Sequence, residues 1–191
     1  RRAAGIAAAL LAAAAAWASP PETGARDPDP ALLDRMRRGF EIAPESEPET
    51  RALLAVLDER LPADPAAGPP VLQAYRAALE GLLGKHGHLP WDKYKRTKAG
   101  LAKLDALVAA HPDSIEIRAL RFSFCSQLPD LFKKGPQAAA DLAALADQFG
   151  RGGDPSVAGP YRRDLIRWLL RIGNPAPGDR QKLEAALGAP E

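Results

Sequence analysis

The amino-acid sequence predicts an all-α protein with no β-sheet. Apolar residues recur at helical spacing in one segment after another, as at Ile117, Leu120, Phe124 and Leu128. Prolines and glycines separate these segments at short intervals, and residues 62–70 alone contain four prolines. No segment shows the alternation of apolar and polar residues that is typical of a strand.

The first 18 residues predict a secretory signal peptide. Two arginines precede an apolar run over residues 3–16, and residues 16–18 (AWA) supply a small-residue cleavage pattern. Because the run is shorter than a comfortable bilayer span, the pattern favours export over anchoring. We therefore expect a periplasmic or secreted protein that is cleaved after Ala18. The sequence does not begin with Met, so it leaves the natural N-terminus open.

The charges of the chain are balanced once the signal peptide is removed. The whole sequence has 26 Lys and Arg residues against 24 Asp and Glu residues, and two of those arginines precede Ala18. A neutral chain provides no overall attraction for nucleic acid, so no nucleic-acid partner is predicted. Acids are concentrated in residues 19–69 and bases in residues 70–134, which predicts that the N-terminal part docks on the middle of the chain.

The predicted organisation after the signal peptide is a flexible leader followed by one α-helical domain. Residues 19–30 (SPPETGARDPDP) are polar and rich in proline, which indicates a leader without a core. The domain is predicted over residues 31–191. Its helices are expected at residues 31–40, 49–61, 71–85, 90–111, 115–126, 137–149, 161–172 and 179–187.

Local signals set the boundaries of the central helices. Pro90 suits the first turn of a helix, where its missing N–H is not needed. Pro112 disfavours helical geometry at His111, so that helix is expected to close there. Asp113 or Ser114 is expected to cap the helix that follows. Residues 109–125 are therefore predicted to be the hinge of a helical hairpin.

Residues 98–114 (KAGLAKLDALVAAHPDS) resemble the second helix of a tetratricopeptide repeat, a helix-turn-helix unit of about 34 residues. Gly100 occupies the position of a small residue that lets two helices approach, and Leu104 that of a bulky one. Leu107 and Val108 lie near the closing contact of the repeat. The resemblance implies tetratricopeptide-repeat-like hairpins that form one array or bundle, with a core at about residues 71–128.

Residues 71–131 are also similar to a family of uncharacterised exported bacterial α-helical proteins. The shared elements are Ala74-Tyr75, Pro90-Trp91, the stretch from Gly100 to Pro112, and residues 116–121 (EIRALR). This resemblance implies an exported helical fold and carries no assigned activity.

Arg118 and Arg121 are the leading candidate site residues. They are three positions apart on one predicted helix, so their side chains project close together and need anionic partners. One interpretation is a structural ion-pair network that ties the three middle helices, with Glu116, Asp105 and Glu80 as partners. The other is a binding site for an anionic ligand or a peptide carboxylate.

Histidines and the single cysteine form the next candidate group. His86 and His88 are metal-ligand types, with His111 and Cys125 elsewhere, but no second ligand pair accompanies them. Solvated loop histidines are the favoured interpretation. Arginines near Cys125 would activate its thiol, yet a lone cysteine is more often a small buried side chain. One cysteine also excludes an internal disulfide.

Two predicted helices carry basic side chains that could form binding surfaces. Residues 91–98 (WDKYKRTK) interleave aromatics with bases, and we expect Trp91 and Tyr94 to face inward while the bases face solvent. In residues 161–172 the arginines lie opposite an apolar stripe that includes Trp168 and Ile172. That helix is predicted to belong to the core, with contact to an anionic membrane as the less favoured alternative.

The sequence contains no recognised catalytic or nucleotide-binding motif, and it predicts no catalytic, cofactor-binding or metal residues. The favoured function is a non-catalytic exported scaffold that mediates protein or peptide interaction in the bacterial cell envelope. The alternatives are a small metal- or thiol-dependent enzyme and a peripheral envelope protein that uses a basic amphipathic helix.

Overall fold

Helices connected by short turns make up the protein. The computed structural model describes residues 27–61 and 67–189, and within these ranges it shows eight α-helices and no strand, which confirms the all-α prediction. The predicted signal peptide, most of the leader and residues 62–66 of the proline-rich segment lie outside the described residues. The helices are α1 Pro30–Ile42, α2 Glu47–Arg60, α3 Pro70–His86, α4 Pro90–Ala110, α5 Ile115–Ser126, α6 Gly135–Gly150, α7 Gly159–Ile172 and α8 Pro177–Gly188.

Proline residues begin most of these helices. Every helix except α5 has a proline in its first turn, where the fixed φ angle fits and no N–H is required. Apart from α4 and α5, the helices therefore start one or two residues earlier than predicted. The expected boundaries around Pro112 are confirmed, since α4 ends at Ala110 and the Ser114 hydroxyl accepts a hydrogen bond from the Ile117 amide at 3.5 Å.

The α3–α4 hairpin depends on glycine at its crossing point. Gly81 of α3 lies opposite Gly100 of α4, and Gly84 lies opposite Thr97, so the two helices run antiparallel. A Cβ atom at Gly100 would lie 2.6 Å from the carbonyl oxygen of Ala77 and 2.9 Å from the Cα of Gly81. This confirms the expectation that a small residue at position 100 permits close approach. The wider repeat-like arrangement of the hairpins stays a prediction.

Replacing Gly100 by alanine is expected to lower the free energy of unfolding by about 1–3 kcal/mol, because the added methyl meets backbone atoms that cannot move without separating the helices. Urea denaturation measures this loss. Gly178→Ala on α8 is the matched control, since a Cβ there meets nothing within 4 Å and no loss is expected. Full stability of the Gly100→Ala variant would contradict the close packing.

Helix α5 lies beside the hairpin and runs in the direction of α3. The Phe124 ring packs against Gly81, and the Tyr75 hydroxyl contacts Glu116. Residues 85–98 and 127–134 therefore lie at one end of this three-helix unit, called the aromatic end below. The turn at residues 110–116 and the start of α3 lie at the opposite end, called the cleft end.

The core runs through all eight helices, and α7 belongs to it as predicted. Leu165, Ile166 and Leu169 are buried, and the Trp168 ring packs edge-on against Phe122 at 5.4 Å between centroids. Ile172 was expected on the same apolar face but is exposed, because it occupies the last position of the helix. Within the described ranges, no helix combines the length and apolar character that crossing a membrane requires.

Acidic side chains of the N-terminal part pair with basic side chains of α3. Arg76 binds Asp58 of α2, and Lys85 binds Glu45 in the short 3₁₀ helix Ala43–Glu45. These contacts confirm the expected docking of the acidic segment on the basic middle. Surface pairs of this kind contribute little to the free energy of unfolding.

Candidate functional site

Arg118 and Arg121 are paired inside the protein by a carboxylate of α6. The buried side chain of Asp141 accepts hydrogen bonds from Arg121 Nη2 at 2.6 Å, from Arg121 Nε at 2.9 Å and from Arg118 Nη1 at 3.2 Å. Arg121 Nη1 also donates to Asp105 of α4 at 3.0 Å, and Arg118 Nη2 donates to the Pro112 carbonyl at 2.8 Å. The network thus ties α4, α5 and α6.

Only one of the three expected acidic partners takes part in this network. Asp105 is confirmed, whereas Glu80 binds Arg76 and Lys103 on another face. Glu116 is also wrong as a partner, because side chains two positions apart on a helix face in different directions. The internal network is therefore the arrangement that the structure shows, and the guanidinium groups already hold carboxylate or carbonyl oxygens.

Asp141 is not identified from the sequence as a partner of the arginines, because α6 is rich in alanine and leucine and its composition is that of an ordinary core helix. One signal was available: Asp141 lies next to Leu142 and four positions before Leu145, on the buried face of α6. An acid on an apolar face requires a cationic partner. The neighbouring arginines of α5 provide it.

Glu116 is the centre of a second buried polar cluster. Its carboxylate is 1% exposed and accepts two hydrogen bonds from Arg37 of α1, at 2.6 and 2.9 Å, and one from the Tyr75 hydroxyl at 2.7 Å. The Arg37 guanidinium also lies 3.9 Å from the centroid of the Tyr161 ring on α7. Paired Arg–carboxylate bonds of this geometry are among the stronger contacts in proteins.

The two tyrosines of the Glu116 cluster remain protonated. Burial is the main cause of the raised pKa of Tyr75 and of Tyr161, and the nearby Glu116 carboxylate adds to it. Neutral phenols can donate to Glu116, whereas phenolates would repel it. The cluster therefore acts as a structural junction of α1, α3, α5 and α7.

The predicted metal-ligand types are not brought together. His86 lies at the aromatic end, where its Nε2 atom is 3.1 Å from the Ala43 carbonyl oxygen, while His111 ends α4 at the cleft end. Across residues 27–61 and 67–189, no group of three or more His, Cys, Asp or Glu side chains is placed to hold a metal ion.

The Cys125 thiol is buried, as the favoured interpretation expected. Burial raises its pKa to about 11, and the carboxylates of Asp141 and Asp105 add to that effect. Lys134 and Arg121 act in the opposite direction but do not outweigh them. The neighbouring arginine therefore does not activate the thiol, because Asp141 neutralises it.

A cleft opens at the α4–α5 turn. It has a volume of about 460 Å³ and lies between residues 110–114 and the segment Gly153, Asp154 and Pro155. A second cavity of about 230 Å³ adjoins it and shares His111 and Ser114. Glu116, Asp27 and the prolines that begin α3 line this second cavity.

The cleft walls are held by hydrogen bonds. The Pro112 carbonyl accepts from Arg118 and, at 2.9 Å, from the Gln148 amide. On the other wall, the Asp154 carboxylate accepts from the backbone amide of Ser156 at 2.9 Å and from its hydroxyl at 2.8 Å. The turn and the facing segment are therefore each held by internal hydrogen bonds.

The aromatic end exposes apolar side chains, contrary to the expectation that Trp91 and Tyr94 face inward. Trp91 is 68% exposed and Tyr94 is 37% exposed. The buried face of α4 begins at Thr97, because α3 ends at His86 and its last turn meets α4 at Gly84, beside Lys93 and Thr97. The Tyr94 ring instead stacks on Trp91 and on Phe132, with centroid distances of 6.0 and 5.5 Å.

Comparisons with known proteins returned no match. No protein-family model fits the chain, and neither a curated protein nor a solved structure is significantly similar to it.

Proposed function

We propose that the protein is an exported, non-catalytic helical scaffold that holds a protein or peptide partner in the bacterial cell envelope. Export is supported by the signal-peptide pattern of residues 1–18. The cleft at the α4–α5 turn is the observation that supports partner binding. Its volume of about 460 Å³ falls within the range of ordinary ligand sites, roughly 300–1,000 Å³.

The side chains around the cleft favour a basic partner segment. Asp113 and Asp154 line the main cleft, and Asp27 lines the adjoining cavity. These carboxylates attract lysine, arginine or a free amino group. The fixed turn also lowers the ordering cost of binding, since its conformation is set by Arg118 and Gln148.

Several contacts support a non-catalytic role. The Ser114 hydroxyl is engaged in capping α5, and among the described residues no hydrogen bond joins the His111 ring to it. The Cys125 thiol is buried with a raised pKa. A nucleophile needs a base in contact and access to substrate, and neither side chain has both.

Photocrosslinking tests this proposal. Asp113 is replaced by p-benzoylphenylalanine in the exported form of the protein, which is then irradiated in an envelope extract of the source organism. The control carries the same amino acid in place of Asp164 on α7, whose side chain is 69% exposed. We expect one discrete protein or peptide adduct from position 113 that is absent from position 164.

A charge-reversal pair sharpens the same experiment. With the crosslinking residue kept at position 113, Asp27→Lys with Asp154→Lys is expected to reduce adduct formation at least about tenfold, since repulsion replaces attraction in the adjoining cavity and on the wall that faces the turn. Asp164→Lys should leave capture unchanged. The proposal is overturned if position 113 yields no adduct, or if positions 113 and 164 yield the same adducts.

A further inference from the structure

We propose that the aromatic end binds the surface of an anionic lipid bilayer. Leu89, Trp91 and Leu131 would lie among the lipid headgroups, and the surrounding lysines would contact lipid phosphates. This inference concerns the end of the molecule opposite the cleft, and it does not depend on the proposed partner site.

The exposed apolar side chains of two separate segments meet at this end. Leu89 is 64% exposed, Trp91 68% and Leu131 68%, which places them among the most exposed large apolar residues of the described chain. A cluster of this kind on a soluble surface indicates an interaction site. Tryptophan and tyrosine are also the residues most enriched at the membrane–water interface.

The ring stack keeps these side chains in place. Trp91, Tyr94 and Phe132 are nearly parallel, with an interplanar angle of 23° in each pair. This stack joins the first turn of α4 to the short 3₁₀ helix Asp130–Phe132. Trp91 and Leu131 are therefore exposed on one ordered surface that both segments form.

The charge around the rings is positive. Residues 85–98 and 127–134 together contain seven Lys and Arg residues against two Asp residues, and of the seven, Lys85 is paired with Glu45 and Lys134 lies 4.0 Å from Asp105. Lys95 follows Trp91 by one helical turn, and Lys98 follows Tyr94 by one turn with its Nζ 5.8 Å from the ring centroid. Lys93, Lys95 and Arg96 make no ion pair with any described residue, so their charges remain available to phosphate.

A lipid surface fits this shape better than a peptide or a nucleic acid. The cavities around the α4–α5 turn lie at the cleft end, whereas the aromatic end presents projecting side chains. A bilayer accommodates projections without a preformed groove. Stacking covers one face of Trp91 and of Phe132, which reduces the ring surface that is open to nucleic-acid bases.

Binding of the aromatic end to a bilayer would orient the cleft. Helix α4 has 21 residues and is therefore about 30 Å long. Binding through its first turn directs the α4–α5 turn away from the bilayer. The cleft then faces the aqueous compartment.

Vesicle co-sedimentation tests the inference. The exported form of the protein, without the apolar run of residues 3–16, is mixed with vesicles of phosphatidylcholine alone or with 30% phosphatidylglycerol. We expect partition at least about tenfold stronger into the anionic vesicles, and weakening of that partition with added salt. Brominated lipid should quench tryptophan emission in the wild type and much less in Trp91→Phe, since Trp168 is partly buried on α7 and packs against Phe122.

The variants separate this surface from general stickiness. Leu89→Ser with Trp91→Ser and Leu131→Ser should reduce partition at least about tenfold and leave the circular dichroism unchanged, because these side chains are mostly exposed. Ile172→Ser is the matched control, since Ile172 is 51% exposed at the end of α7. Equal partition into both vesicle types, no partition, or insensitivity to the serine variant would overturn the proposal. Crosslinking from position 113 is measured without lipid, so failure of the lipid proposal leaves the test of the partner site unchanged.

Discussion

Replacing Asp141 by asparagine is expected to lower the free energy of unfolding by about 3–5 kcal/mol. Its carboxylate is 1% exposed and is shared by Arg118 and Arg121, so the neutral amide leaves the largely buried Arg118 guanidinium without a carboxylate and Arg121 with Asp105 alone. Urea denaturation followed by circular dichroism measures the change.

Asp105→Asn is the control within the same network. Asp105 binds Arg121 as well, but its side chain is 38% exposed and water replaces part of the lost contact. A loss of about 1 kcal/mol is expected there. Equal losses for both variants would contradict the assignment of Asp141 as the central counter-ion.

Replacing Glu116 by glutamine is expected to cost a similar amount, about 3–5 kcal/mol. The substitution removes the charge that Arg37 pairs with through two hydrogen bonds, and it places an amide donor against other donors. Thermal and urea denaturation both measure the loss, which should appear as a single transition because the cluster joins four helices.

Tyr75→Phe tests the same cluster with the charge pair intact. It removes one hydrogen bond to Glu116 and keeps the ring, so a loss of about 1 kcal/mol is expected. A Glu116→Gln variant with the same free energy of unfolding as the wild type would show that solvent compensates Arg37 and that the cluster does not hold the helices together.

Most of the fold follows from local signals in the sequence. Apolar spacing locates each helix, and Pro90, Pro112 and Ser114 mark boundaries that the structure confirms. The starts that are predicted one or two residues late belong to helices whose first-turn proline the prediction leaves outside, as at Pro30 and Pro177, whereas Pro90 is placed correctly. A proline in the first turn of a helix costs no hydrogen bond, so it belongs inside the helix it begins.

The polar clusters were harder to predict, because they depend on contacts between distant segments. The sequence indicates that Arg118 and Arg121 need acids, but the choice among Asp105, Glu80 and Glu116 depends on helix rotation. Asp141 becomes adjacent only after α6 packs on α5. Arg37, the partner of Glu116, is 79 positions away in the chain.

The exposure of Trp91 and Tyr94 could not be predicted from helical spacing. Helical spacing places these aromatics on one face, and the spacing taken alone predicts that this face is buried. Whether that face is covered depends on where neighbouring helices stop. Here the last turn of α3 meets α4 beside Lys93 and Thr97, and the rings stack with Phe132 at the surface.

The central claim is that Arg118 and Arg121 serve the fold through Asp141. The most direct test is the free energy of unfolding of a triple variant, Arg118→Met with Arg121→Met and Asp141→Leu, compared with that of Asp141→Asn. Apolar replacement of a whole buried ionic group often leaves stability unchanged. The free energy of unfolding of the triple variant should therefore be within about 2 kcal/mol of that of the wild type. A triple variant as unstable as Asp141→Asn would contradict the claim.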